Sequence, residues 1–235
     1  MNLNILKLFS KHPHPENEPL TIRQIDKIIK RRMRTADAEF SQGYDLIKKY
    51  PRSVSILGSA RFKSDNIYYK QAESLGRRIA TELKYVVVTG GGPGIMEAAN
   101  KGAYEAGGVS LGFNIKLPKE QEPNKYLTDY VDFEYFFSRK TILFYSAETY
   151  IYYPGGFGTM DELFEILTLI QTGEIPRVPV ILVGREFWEP LMATIKEELL
   201  TDNNTIDLKD TYIYKIVDTE DEIIDIIKKA PLRQD

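Results

Sequence analysis

Five short apolar, β-branched runs punctuate the middle of the chain, and their spacing constrains the fold more than any other feature. They are "SVSILGSA" (53–60), "KYVVVTGGG" (84–92), "GVSLGFNI" (108–115), "AETYIYYPGG" (147–156) and "VPVILVG" (178–184). Helical periodicity fills most of the gaps, in "YYKQAESLGRRIATEL", "PGIMEAANKGAYEAG", "TMDELFEILTLIQTG" and "EFWEPLMATIKEEL". Strands apolar along their whole length read as buried on both faces, and their alternation with helices implies right-handed crossovers building a parallel sheet. The expected fold class is α/β, a doubly wound, Rossmann-like parallel sheet. "DYVDFEYFF" (129–137) and "TYIYKIVDT" (211–219) are expected as further strands, and "EDEIIDIIKKA" (220–230) as a short amphipathic helix.

The first 19 residues read as a loose arm. From Leu20 to Tyr50 the apolar positions Ile22, Ile25, Ile29, Met33, Ala36 and Phe40 recur at three- and four-residue spacing, an amphipathic helical region that Gly43 is expected to interrupt. Its basic run "KIIKRRMR" admits a nucleic-acid reading, but isoleucines at core spacing favour a solvated helix face. No repeat or low-complexity tract appears. The expected parse is an N-terminal arm and helical extension over 1–50 and one nucleotide-binding catalytic domain over 51–235.

Composition narrows the chemistry. A net charge of −3 gives no global basic field, so a nucleic-acid polymer is not an expected partner. The chain has no cysteine, and its two histidines, His12 and His14, flank Pro13 ahead of the expected folded body. A Ser-His-Asp triad, a cysteine nucleophile and a His-rich zinc centre are thereby excluded, so no metal is expected. Carboxylates, Arg, Lys, hydroxyls and backbone amides remain. No apolar stretch reaches the roughly 18 residues of a membrane span, and a soluble, cytoplasmic protein without a membrane partner is expected.

Ligands of such sheets sit beyond the carboxyl ends of the strands. Three strands end in glycine here: "GSAR" with Gly58 and Ser59, "TGGGPGIME" with Gly91, Gly92 and Gly94, and "PGGFGTMDE" with Gly155, Gly156 and Gly158. Glycines let a ligand approach the amides, and the following helix offers unpaired N–H groups and the positive end of its dipole, which together make a phosphate site. Neither loop fits G-x-G-x-x-G or a Walker motif, so dinucleotide reduction and ATP hydrolysis lose ground. Thr159 to Glu162 spell T-x-x-E, the capping-box pattern, and local pattern alone favours reading Glu162 as a cap only. A carboxylate beside a phosphate loop nevertheless repels the phosphate. If it faced the sugar instead, it would favour positive charge developing at an anomeric carbon.

"PGGFGTMDE" resembles the P-G-G-x-G-T-x-x-E motif of the LOG family, long described as "lysine decarboxylase-like" and associated with cytokinin riboside 5′-monophosphate phosphoribohydrolases. "GGGPGIMEAANKGA" resembles that family's other loop, and "SRK" (138–140) its upstream Arg-Lys pair. The resemblance spans Ser53 to Gly184, and the N-terminal extension and "LPKEQEPN" resemble the longer bacterial members. It implies hydrolysis of the N-glycosidic bond of a nucleoside 5′-monophosphate substrate, of AMP or cytokinin riboside monophosphate type, to free base and ribose 5-phosphate, with no cofactor. Arg139 and Glu162 match the catalytic pair. Glu120, Lys140, Gly156, Phe157, Gly158, Thr159, Met160, Asp161 and Thr168 match nucleotide-contacting positions, although many members carry glutamate where Asp161 stands. A homodimer or higher homo-oligomer is expected as well.

The residues by themselves keep other readings open. Arg139 and Lys140 can form a helix-start salt bridge, Glu120 and Thr168 rest mainly on the resemblance, and Tyr152 and Tyr153 suit packing better than base stacking. A nucleotide-binding module without turnover needs only the loops. A pyridoxal-phosphate decarboxylase would need Lys140 as Schiff base, and no Asp partner for a pyridine nitrogen is recognisable.

Overall fold

The computed structural model of the chain describes residues 21–116 and 122–231. Seven strands form one all-parallel sheet: β1 (Ser53–Leu57), β2 (Val86–Thr89), β3 (Ser110–Ile115), β4 (Asp129–Phe133), β5 (Tyr150–Tyr152), β6 (Val180–Val183) and β7 (Tyr214–Val217). Their spatial order is β4-β3-β2-β1-β5-β6-β7. The chain thus winds outward from β1 to β4, returns to place β5 against the other side of β1, and winds outward again. Ser55 of β1 pairs with Val88 of β2 on one side and with Tyr150 of β5 on the other.

Both faces are covered, which explains the continuous apolar runs. Val54 and Ile56 of β1, Val87 of β2, Ile151 of β5 and Ile181 of β6 point into one core with α2 (Ile67–Arg78), α3 (Ile95–Glu105) and α7 (Glu220–Lys229). Leu57, Val88, Tyr152 and Leu182 point into the other, with α4 (Phe136–Tyr145), α5 (Phe157–Thr172), α6 (Arg185–Lys196) and the later turns of α1 (Ile22–Lys49). Alternate residues of a strand face opposite ways, so a strand sandwiched between helices must be apolar at every position. Helix α7 starts on a complete capping box: Thr219 Oγ1 accepts from the Glu222 amide, and the Glu222 carboxylate accepts from the Thr219 amide.

Two expectations change. Helix α1 runs unbroken through Gly43, because a Cβ there would lie 2.7 Å from the side chain of Ile142 and the missing methyl lets α1 and α4 touch. The segment expected as a strand to Phe137 ends at Phe133, and Phe136 already opens α4. Contacts divide the chain into two units at Thr35/Ala36. In the first, the helical residues Ile22, Ile29 and Met33 are exposed despite their core-like spacing. In the second, Ala36, Glu39, Gly43, Leu46 and Ile47 of the same helix are buried. Among the described residues no helix is long and apolar enough to cross a membrane.

Helices α2 and α3 cross on glycine. A Cβ on Gly102 would lie 1.8 Å from the Glu73 carbonyl oxygen, a backbone atom that cannot swing aside. Alanine ordinarily favours a helix interior over glycine by about 1 kcal/mol, but overpacking against a rigid neighbour costs about 1–3 kcal/mol and should win. Gly102→Ala is therefore expected to lower the urea midpoint. An unchanged or raised midpoint would show that the crossing tolerates a methyl.

Candidate active site

The reversal at β1 leaves the loops after β1 and β5 diverging from neighbouring strands, and a crevice of about 980 Å³ opens between them. Its floor and walls include Gly58 and Ser59 from the first loop and residues 154–162 from the other. Gly90 and Met96, from the β2–α3 segment, line it further, and Arg139 and Lys140 of α4 add two cationic side chains. Phe62, Tyr68, Phe136 and Phe187 give the mouth an aromatic rim, with Phe62 and Tyr68 stacked at 6.0 Å between ring centres.

Helix α5 begins at Phe157 with Gly156 as its N-cap, and no side chain caps it. Its first-turn amides accordingly open toward the crevice without a local acceptor. Thr159 is the third residue of the helix and Glu162 the sixth, so Glu162 lies one turn too deep to reach back to the N-cap amide. The capping-box pattern at 159–162 is not realised, whereas the same pattern at Thr219 is. The Glu162 carboxylate instead accepts a hydrogen bond from Arg139 Nη1 at 2.8 Å, both side chains being largely buried. Arg139 Nε donates to the Phe113 carbonyl at 2.7 Å, which fixes the plane of the guanidinium. Its Nη2 lies 2.4 Å from where a Gly90 Cβ would stand, so the glycine at the end of β2 makes room for the arginine. Beneath, the fully buried Tyr152 hydroxyl donates to the Glu162 carbonyl at 3.1 Å. Burial, and then the Glu162 charge, pushes that phenol far above its ordinary pKa, so it stays a donor.

The three glycine loops do different work. A Cβ on Gly58 would meet Ile95 and Tyr153, one on Gly91 the Asn114 side chain, and one on Gly94 the Ser59 carbonyl at 2.3 Å. Gly91 and Gly94 adopt positive φ, and Asn124 donates from its side chain to the carbonyls of Gly91 and Gly92. Gly91, Gly92 and Gly94 thus form a buried buttress behind Gly90 and do not line the crevice. Gly155 leaves space for the Thr159 side chain. At Gly156 and Gly158 an added Cβ would meet nothing within 4 Å. Among the described residues, no packing reason demands glycine at either place.

Lys140 points at the outer side of α5, where Asp161 accepts from its Nζ at 3.0 Å and Glu165 forms a second ion pair. Burial, the largest single influence, pulls the ammonium down, but the hydrogen bonds and charges of Glu165 and Asp161 together outweigh it and hold its pKa above the ordinary lysine value. A lysine held as a cation between two carboxylates is poorly suited to condense with an aldehyde. Asp161 and Met160 line the crevice, whereas Thr168 sits about two turns farther along α5 in a separate groove, its hydroxyl donating to the Phe164 carbonyl. Glu120, His12 and His14 lie outside the described residues. Among the described residues, no group of three or more His, Asp or Glu could hold a metal ion. The aromatic rim was not picked out from the sequence; no local pattern marks Tyr68 or Phe187, which reach the crevice from helices after β1 and β6.

The family model described as "Possible lysine decarboxylase" matches residues 96–227. A cytokinin riboside 5′-monophosphate phosphoribohydrolase of Rhodococcoides fascians is 28% identical over 151 residues, covering 62% of this chain and 75% of that protein. One of Arabidopsis thaliana is 25% identical over 155 residues, covering 66% and 67%. Among solved structures, the molybdenum cofactor binding protein of Rippkaea orientalis has the same fold, with a TM-score of 0.56 over 75% of this chain and 93% of that one at 23% identity.

The charge state of Lys140 can be read directly. At pH 9 an acetylating reagent should modify Lys140 at least about tenfold more slowly than the exposed Lys70, measured by peptide mass spectrometry, because its amine is both partly buried and held protonated. Equal rates would mean that the Asp161–Lys140–Glu165 cluster is open in solution.

Proposed function

Because this chain belongs to the LOG family, the one described as "possible lysine decarboxylase", we propose that it hydrolyses the N-glycosidic bond of a nucleoside 5′-monophosphate, releasing free base and ribose 5-phosphate. One observation carries the reading: a buried arginine–glutamate pair stands one turn below an uncapped helix N-terminus at the switch point of the sheet. The phosphate is assigned to the amides of the first turn of α5, where the helix dipole favours an anion and Gly156 and Gly158 leave open space. The ribose then lies deeper, over Glu162.

Departure of the base leaves positive charge spread over C1′ and the ring oxygen. The Glu162 carboxylate stabilises that charge, and with one oxygen held by Arg139 it can also orient the attacking water. Arg139, anchored by the Phe113 carbonyl, keeps the carboxylate aimed. The pair is charge-neutral as a whole, which answers how a carboxylate coexists with a phosphate loop. Lys140 offsets Asp161 and Glu165 on the outer flank. A decarboxylase reading would require Lys140 as a Schiff-base amine, and its pairing argues against that role.

Solved neighbours of this fold include molybdenum cofactor carriers, so binding and turnover are to be measured separately. A panel of nucleoside 5′-monophosphates assayed for ribose 5-phosphate is expected to yield base release; saturable binding with no release from any of them would leave a nucleotide receptor. Glu162→Gln keeps an acceptor for Arg139, so it should fold normally and bind AMP while losing at least about a hundredfold in kcat. Retention of turnover would remove Glu162 from the chemistry. Gly158→Ala separates ligand from fold in the opposite sense. Alanine meets open space and favours the helix, so Tm should hold or rise, while KM should increase by about tenfold as the methyl enters the phosphate position. An unchanged KM would place the phosphate elsewhere.

A further inference from the structure

The buried face of α1 contains one carboxylate. Glu39 is 5% exposed, lying between Ala36 and Gly43 on a surface otherwise suited to packing. Burying a carboxylate costs several kcal/mol unless its oxygens are satisfied. Both are. Oε1 accepts from the Glu134 amide at 2.5 Å and Oε2 from the Ser138 hydroxyl. These two donors bracket the start of α4, whose own N-cap, Tyr135, supplies no side-chain hydrogen bond. A residue 99 positions away in sequence from Ser138 thus ties the chain on both sides of the helix start, placing a carboxylate near the positive end of its dipole.

The helix tied in this way carries Arg139, the residue after Ser138. Its amide closes the first helical bond to the Tyr135 carbonyl at 3.2 Å, and its side chain reaches Phe113 and Glu162. Further contacts hold the same join: Gly43 admits the Ile142 side chain, and the Phe40 and Phe137 rings lie 6.3 Å apart. We propose that Glu39 is a positioning residue for Arg139, fixing the first turn of α4 so that the guanidinium meets Glu162 in the geometry the reaction uses. The turns of α1 around Glu39 are then part of the site's supporting shell. This rests on the phosphoribohydrolase reading for its catalytic consequence, though not for its structural one.

The test uses the full chain, with Glu39→Ala and Glu39→Gln compared in two readouts. The first is the exchange rate of the Arg139 Nε–H resonance in 15N-labelled protein, assigned by its loss in Arg139→Lys. The second is kcat and KM for AMP, or for the panel's best substrate. Glu39→Ala should speed the exchange by about tenfold or more and lower kcat by about ten- to a hundredfold, with KM shifted no more than about threefold. Glu39→Gln should stay within about threefold of the parent in both, since its amide accepts from Glu134 and donates to the Ser138 oxygen. Ile224→Ala in α7, on the opposite face of the sheet, controls for lost stability and should leave both readouts unchanged.

Exchange and kcat within about twofold of the parent in Glu39→Ala would overturn the proposal, as would equal changes in the Ile224 control. Should Glu39→Ala not fold, Ser138→Ala removes one of the two bonds and is judged by the same criteria. If the parent releases no base from any monophosphate, the phosphoribohydrolase reading fails, and the Arg139 exchange rate alone decides whether Glu39 positions that residue.

Discussion

Parallel pairing obliges every strand to be followed by a crossover, and here β2–β4 are laid down on one side of β1 and β5–β7 on the other. The loops leaving β1 and β5 therefore part in opposite directions, and no crossover can close the gap between them. The rest of the molecule is arranged around this opening. The polypeptide lines it with amides at the start of α5, with a carboxylate one turn lower, and with an arginine delivered from α4 on its way back to β5.

Helix α4 makes that delivery possible, and it owes little to its own sequence. "FFSRKTILFY" begins after a tyrosine with no capping side chain, and its two leading phenylalanines read as a continuation of the preceding strand. The helix starts where it does because Glu39 holds the Glu134 amide before it and the Ser138 hydroxyl within its first turn, and because Ile142 fits against Gly43. Tertiary contacts, made across more than ninety residues of chain, set the boundary that local propensity left undecided.

This division accounts for how much could be read from the sequence. The sheet was legible because burial on both faces demands uninterrupted apolar strands, a signal carried by five runs that needs no knowledge of their partners. The glycine loops were legible as places of close approach. What each glycine serves was not, since Gly94 faces the chain's own Ser59 carbonyl whereas Gly156 and Gly158 face open space. The pattern T-x-x-E makes the limit plain. At Thr219 it is a capping box, and at Thr159 the same spacing lies inside a helix already begun at Phe157. Only the position of the N-cap separates the two, and in α5 that position follows from the turn at Pro154–Gly156 after β5.

If the crevice takes a nucleoside 5′-monophosphate as proposed, the closeness of Arg139 to Glu162 bears on how a dianion reaches it at all. From the entrance, opposite charges 2.8 Å apart act as a short dipole, whose potential dies away with distance faster than that of a lone ion. An arriving ligand meets little long-range resistance from the acid beneath. On the proposed reading it feels the carboxylate in full only at contact range, where the sugar would stand between the acid and the phosphate. Neutralisation by a tethered neighbour thus lets one cleft be hospitable to negative charge at its lip and to positive charge in its depth.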